Sequence, residues 1–366
     1  INHPDVAITR CLRISYSSRA IKTFGQNYFP NWDFEPGVAR SRRGSTLCSN
    51  IMVSPSSIAR RALRIVLDGP WGALFRQSIM RSEIKRERIF VAAQAEKAST
   101  AALTEEGLSS LLKEKPSADT FFILGAGSSI NDLNPANLRE IGRHRSVGIN
   151  TWPIHSFIPD FYSFECNFRF DDGLDFTRAL RSLNRQDIFE ARPPLAVLRL
   201  KSNSEISQLA ELPSAFRDRL FFYGRVTPAT RKISNLVDEL SWFLRAPAPR
   251  GPLVVLDSGA SVVRMISLGI SMGYRKIVLA GVDLDNSPYF WQGNPKYSER
   301  QAIFPVFSRQ SGSAHETLDR TRRPFTAAEM VYGLSQVIES KLGGKLFVGS
   351  QKSMLATHLS VYPWGG

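Results

Sequence analysis

Cysteine is scarce in this 366-residue chain: Cys11, Cys48 and Cys166 are the only three, and no two stand in a CxxC spacing. That excludes a disulfide-built scaffold and a cysteine zinc site, and it points to a reducing, cytoplasmic compartment. Long apolar runs are missing too. Nothing approaches the roughly 18 consecutive apolar residues of a transmembrane helix, and the N-terminus lacks the basic, apolar and small-residue blocks of a secretion signal. No helix-turn-helix, finger or aromatic RNA platform can be read. A nucleic-acid partner would rest on charge alone and is not expected. Histidine is limited to His3, His144, His155, His315 and His358.

What is present is a hydrophobic fraction of 43%, near the globular average, so a packed core is expected. The length allows one large or two ordinary domains. Lys and Arg outnumber Asp and Glu by 47 to 33, a formal net charge of +14. Such an excess suits an anionic partner: nucleic acid, an anionic membrane face or a negatively charged substrate. Much of it sits early, in Arg60, Arg61, Arg64, Arg76, Arg81, Lys85, Arg86 and Arg88.

The texture divides the chain in three. Residues 1–54 mix turn formers, scattered arginines and isolated aromatics without a sustained period, and are expected to be irregular. Residues 55–117 read as a basic helical segment. Ile58, Ala62, Leu63, Ile65 and Val66 interleave with arginines, Asp68-Gly69-Pro70 breaks the pattern, and Leu74, Phe75, Ile79, Ile84, Ile89, Phe90 and Val91 follow. Such a segment either caps the core or lies as a peripheral amphipathic helix on an anionic membrane face.

From 118 to 366, short apolar strands alternate with helices. Strands are expected at Thr120–Leu124, Arg145–Asn150, Phe161–Glu165, Leu195–Leu200, Arg219–Tyr223, Leu253–Leu256, Lys276–Gly281 and Lys345–Val348, with helices at Leu138–Ile141, Ala260–Met272 and Ala327–Lys341. Continuous apolar strands separated by helices imply an α/β, Rossmann-like, mostly parallel sheet with helices on both faces.

Five motifs fall at the ends of these elements. Gly125-Ala126-Gly127-Ser128-Ser129 follows the first strand. Glycines there let the backbone approach a phosphate or ribose, and free amides and hydroxyls can donate to it. The run is neither GxGxxG nor a P-loop, because position 130 is Ile and no GK[ST] follows. Asn150 closes the second strand, where open α/β sheets bind ligands. Asp257-Ser258-Gly259 precedes a helix, with Ser258 either a plain N-cap or part of an anion site. Asp283-Leu284-Asp285 ends a strand and formally matches the DxD of metal-dependent glycosyltransferases, with Tyr289 close behind. His315 lies in a long Gly/Pro/Ser-rich stretch and suits general-base work.

In this order the motifs resemble the bacterial sialyltransferases of glycosyltransferase family 42, together with related motility-accessory proteins and domains of unknown function. The resemblance covers roughly Phe121 to Met354, with Lys276–Asp283 the closest local match. It implies that Gly125 to Ser129 and Asn150 face the cytidine monophosphate of the donor. Ser258 and Gly259 would lie near the donor's sugar carboxylate or nucleotide, Tyr289 would contact the leaving phosphate, and His315 would deprotonate the acceptor. Two positions depart from the pattern. Ala126-Gly127-Ser128-Ser129 replaces the family's Asn-Gly-Pro-Ser, and Asp285 stands where the first of two tyrosines falls.

The implied activity is transfer of an acidic sugar, of the sialic acid or Kdo type, from a CMP-activated donor to a glycan or protein acceptor, with no metal and no cofactor. Arg309, Arg320, Arg322 and Arg323 either draw in an anionic substrate or form a solvated basic face. Two alternatives stand beside it. One is magnesium-dependent pyrophosphokinase-like phosphoryl transfer, with Asp283 and Asp285 as ligands. The other is a non-catalytic nucleotide-binding accessory protein.

Overall fold

The continuous apolar runs become a parallel sheet because each can be covered on both faces. A computed structural model describes residues 72–366 except 105, 108–109, 111–118, 166–179, 181–193, 201, 246–250, 286, 302–315, 322 and 366. The irregular stretch expected over 1–54, the first basic helix and His315 therefore lie outside the described residues. The chain divides into two units, Ile1–Ile79 and Met80–Gly366, and the second holds the sheet.

Helix α1, Gly72–Lys97, falls within the basic segment expected to be helical over 55–117, but the same segment also contains the two-residue strand Ala101–Ala102. The helix's apolar and charged residues are not sorted onto opposite faces. In the second unit its Met80, Val91 and Ala95 are buried in the core, as a helix that caps a domain requires. Among the described residues no helix is long and apolar enough to cross a membrane.

The strands are β1 (Ala101–Ala102), β2 (Thr120–Leu124), β3 (Arg145–Ile149), β4 (Phe161–Ser163), β5 (Leu195–Leu198), β6 (Leu220–Phe222), β7 (Gly224–Val226), β8 (Val254–Leu256), β9 (Lys276–Ala280), β10 (Lys345–Val348) and β11 (Ser360–Val361). Nine form one sheet in the order β1-β6-β5-β4-β3-β2-β9-β10-β11, and each neighbouring pair is parallel. After β6 the chain steps through Tyr223 into β7, which pairs in parallel with β8 as a separate ribbon.

The period of two decides which side chains face which layer. Phe121 and Ile123 of β2 enter one core cluster, Phe122 and Leu124 the other. The first cluster is closed by α3 (Ile233–Arg245), α4 (Ser261–Ser271) and α5 (Ala327–Leu342), through residues such as Leu236, Leu240, Val263, Ile266, Met330 and Leu334. The second takes Ile141 from α2 (Pro135–Arg143), Phe216, and the flanking Tyr362 and Trp364. The architecture is α/β and Rossmann-like, with helices on both faces.

Local chemistry starts and stops the helices. Asn134 accepts from the amides of Ala136 and Asn137, and Asn137 returns the bond to the Asn134 amide, with Pro135 at the first helical position of α2. Thr326 and Glu329 form the same reciprocal box on α5. At its far end Gly343 takes φ +63°, a left-handed turn that glycine adopts without strain.

From β2 the strands run outward to β6. The chain then returns to lay β9 against the other side of β2, and β10 and β11 continue outward from there. The strand order thus reverses between β2 and β9. A crevice opens outside the carboxyl ends of the strands at such a reversal, and open α/β sheets bind ligands there.

Helix α4 lies close on β2 at one point. A Cβ at Gly269 would stand 2.7 Å from Cδ1 of Phe121. In an open helix, replacing glycine is neutral or stabilising. Here Gly269→Val should lower stability by about 1–3 kcal/mol through overpacking, read as a lower urea midpoint with an unchanged slope. A raised midpoint would refute the close packing.

Candidate substrate site at the strand ends

At the reversal the ladder of β2 and β9 continues beyond the strands. The Gly125 amide donates to the Ala280 carbonyl at 2.7 Å, and the Gly127 amide to Gly281 at 2.7 Å. Glycine is required on both sides. A Cβ on Gly125 would meet the Gly281 oxygen at 2.3 Å, and one on Gly127 the Asp283 Oδ2 at 2.3 Å. Gly281 itself sits at φ +69°. Beyond it, the Asp283 carboxylate accepts from the Ser129 amide at 2.9 Å and from the Ser129 hydroxyl at 2.5 Å.

This changes the reading of the glycine turn. The amides of Gly125, Gly127 and Ser129, expected to be free for a phosphate, are taken by β9 and Asp283. The turn is a brace for the crevice, and Ala126 and Ser128 supply the remaining backbone at its wall. Burial pushes the Asp283 carboxyl above its usual value. The Ser129 hydrogen bonds pull the other way, while the charges of Asp285 and Asp132 add to the rise.

Asp285 turns to its own loop, accepting from the Ser287 amide at 3.1 Å and the Ser287 hydroxyl at 2.5 Å. Leu284 between the two acids has φ +55°. The two carboxylates therefore serve separate partners. Among the described residues no three or more His, Cys, Asp or Glu are grouped so as to hold a metal ion.

Tyr289 is brought to the turn. Its backbone bridges to Gly127, the Phe290 amide donates to the Ala126 carbonyl at 3.0 Å, and its ring stacks on Trp291 at 5.8 Å between centroids.

The second group of expected residues lies one strand further out. Asn150, directly after β3, has φ +53°, a left-handed turn that asparagine adopts more readily than other non-glycine residues. Its Oδ1 accepts from the Ser261 hydroxyl at 3.2 Å, which ties the end of β3 to the start of α4. Ser258 does not cap α4, as a simple reading of the sequence allowed. Ala260 holds the cap position without a side-chain bond, and the buried Ser258 hydroxyl meets no partner among the described residues. Gly259, at φ +80°, donates its amide to Asp257 at 2.7 Å, and its carbonyl accepts from Arg323 Nη1 at 3.1 Å.

Asp257 anchors a charged network. Its fully buried carboxylate is held by Arg225 at 2.5 Å and Arg264 at 3.4 Å. Arg264 reaches on to Glu165 at 3.0 Å and Ser261 at 2.8 Å. Burial alone would raise the Asp257 carboxyl, but Arg264 and Arg225 outweigh it and hold the group below its usual range. Arg199, directly after β5, has Nε and Nη1 buried without an acceptor among the described residues.

The structure therefore ties Asn150 to the start of α4, which directly follows Ser258 and Gly259 in the chain, and joins Gly125–Ser129, Asp283 and Tyr289 at the neighbouring strand ends. Sequence reading missed Glu165, Arg199, Arg225 and Arg264. A signal existed for two of them. Arg264 is a lone cation in the apolar run of α4, and Arg199 directly follows an apolar strand. A cavity of about 340 Å³ bounded by Arg139, Glu140, Arg143 and His144 opens near the start of β3, at the opposite end of the sheet from these groups.

No protein-family model matches the chain, and no curated protein shows significant similarity to it.

Asp257→Asn leaves two guanidiniums without their buried counter-charge, which typically costs about 3–5 kcal/mol. A carboxyl held low in the fold contributes stability above its unfolded pKa, about 3.9, and loses it as pH falls through its folded value. The deficit of the variant in urea unfolding should be full at pH 7 and shrink below about pH 4. Equal midpoints for variant and parent at pH 7 would contradict the network.

Gly127→Ala gives a separate check. It should break the Ser129–Asp283 contact and lower the melting temperature. A glycine chosen only for a loose turn would tolerate alanine without loss.

Proposed function

We propose that the protein is a glycosyltransferase that moves an acidic sugar, of the sialic acid or Kdo type, from a cytidine-monophosphate-activated donor to a glycan or protein acceptor. The observation that carries this reading is the bond between Asn150 and Ser261. It ties Asn150, at the end of β3, to the start of α4, just after Ser258 and Gly259 in the chain. These are the residues that the resemblance to family 42 sialyltransferases assigns to the donor, and they come from segments more than a hundred residues apart.

In this reading the acceptor hydroxyl attacks the anomeric carbon and loses its proton to His315. The bond from that carbon to the phosphate oxygen breaks, and cytidine monophosphate leaves with the electron pair. The transition state is oxocarbenium-like, and the negative charge on the leaving phosphate calls for fixed donors. Tyr289 and Ser128, at the wall of the crevice, are the candidates for that task. A monophosphate leaving group needs no metal in this scheme. The double occupation of Asp283 by Ser129 counts against magnesium-dependent phosphoryl transfer.

Thermal-shift titration tests the reading, because a ligand that binds only the folded state raises the melting temperature. Cytidine monophosphate without magnesium should stabilise the protein, and Asn150→Ala should weaken that binding about tenfold, near the 1.4 kcal/mol that one well-made hydrogen bond supplies. His315→Ala should keep the shift and lose about a hundredfold or more in transfer rate. Stabilisation by ATP only with magnesium, and none by cytidine monophosphate, would overturn the proposal.

A further inference from the structure

The network around Asp257 brings several guanidiniums together at one end of the sheet. Arg225 and Arg264 grip Asp257 from its two oxygens. Arg323 binds the carbonyls of Ser258 and Gly259 beside it. Arg199 stands within electrostatic range of Arg225, Arg264 and Asp257. Against these four guanidiniums stand Asp257, Glu165 on Arg264, Glu87, whose carboxylate accepts from the Arg225 backbone amide at 3.1 Å, and Glu83, within electrostatic range of Arg225. The charges of Glu87 and Asp257 favour the Arg199 cation, but both Asp257 oxygens are already engaged by Arg225 and Arg264.

Arg199 is the member left with buried donors. Its Nε and Nη1 are buried with no acceptor among the described residues. Burial, and then the neighbouring charge of Arg225, disfavour its cationic form. Buried donors of this kind are rare in folded proteins, because each forfeits its hydration without a replacement. An isolated structural ion pair would not recruit a further like charge. Clustered cations at the carboxyl ends of strands are instead the usual means of holding an oxyanion, and guanidinium forks match phosphate oxygens two at a time.

We propose that Arg199, Arg225 and Arg323 form a subsite for a phosphate group of a substrate, with Asp257 and Arg264 as the buried support that positions Arg225. The position fits. Ser261 links the network to Asn150 through Arg264, so the subsite adjoins the proposed donor site while being built on the end of β5, β7 and the segment before α5. The phosphate belongs either to the donor itself or to a phosphorylated acceptor. The subsite does not depend on the cytidine reading, because its ligand is defined by the phosphate alone.

Inorganic phosphate is the probe. The full chain should gain about 2–4 °C in melting temperature at millimolar phosphate over sodium chloride of equal ionic strength. Arg199→Ala should melt at the parent's temperature or above in chloride, since a like charge is relieved, and should weaken phosphate binding about tenfold. Arg199→Lys should fall between the two. General salting effects of phosphate act on parent and variant alike, so the difference between them isolates the site.

Repeating the titration with saturating cytidine monophosphate separates the two sources. Loss of the phosphate increment assigns the subsite to the donor, and an additive increment assigns it to a second substrate. No increment in the parent, or an equal increment in parent and Arg199→Ala, would overturn the proposal. Phosphate stabilisation without any cytidine monophosphate binding would leave the subsite standing and remove the glycosyltransferase reading instead.

Discussion

The backbone contact between the ends of β2 and β9 governs the rest of this structure. Gly125 and Gly127 donate to the carbonyls of Ala280 and Gly281, at a separation that leaves no room for a side chain. Ser129 then seals the two ends by giving both its amide and its hydroxyl to Asp283. Because the strand order reverses between these two strands, the contact fixes the geometry of the crevice. The Asp283 carboxyl is made structural by this bond, and burial holds its pKa up. An acid so engaged is poorly suited to be a metal ligand and well suited to be a latch.

A second constraint works outward from the first. Placing Asp257 in the interior at the end of β8 demands counter-charge, and Arg225 and Arg264 supply it from β7 and α4. Buried ion pairs of this kind contribute little net stability against an apolar alternative, yet breaking one is expensive. The network therefore rigidifies the loop of Ser258 and Gly259 and directs several guanidiniums to one end of the sheet. The two constraints share a direction, since both act at the carboxyl ends of the strands.

Much of the fold was legible in local pattern. Thr120–Leu124, Lys276–Ala280 and Lys345–Val348 read as strands because unbroken apolar runs need cover on both sides, and each is a strand of the parallel sheet. The helix Ala327–Leu342 carried its own start signal in Thr326 and Glu329 and its stop in Gly343. The short strands β1, β7 and β11 and the helix Ile233–Arg245 escaped notice. Two or three residues do not establish a period, and β7 owes its pairing to β8 rather than to its own composition. The glycine turn was placed correctly in the chain, but its amides were expected to be free. Their occupation depends on β9, some 150 residues away, and no local signal carries that.

By itself the sequence determined where chain segments would be extended, where they would turn and which residues would be buried, because hydrophobic periodicity and glycine or capping chemistry act over a few residues. Only the tertiary structure decided which polar groups meet. Asn150 and Ser261 are 111 positions apart, Arg264 and Glu165 are 99 apart, and Ser129 and Asp283 are 154 apart. These meetings follow from the order of the strands and the crossover that returns the chain to β9. Electrostatic pairing is set by distance in space, and strand order, which sets that distance, is a property of the whole chain.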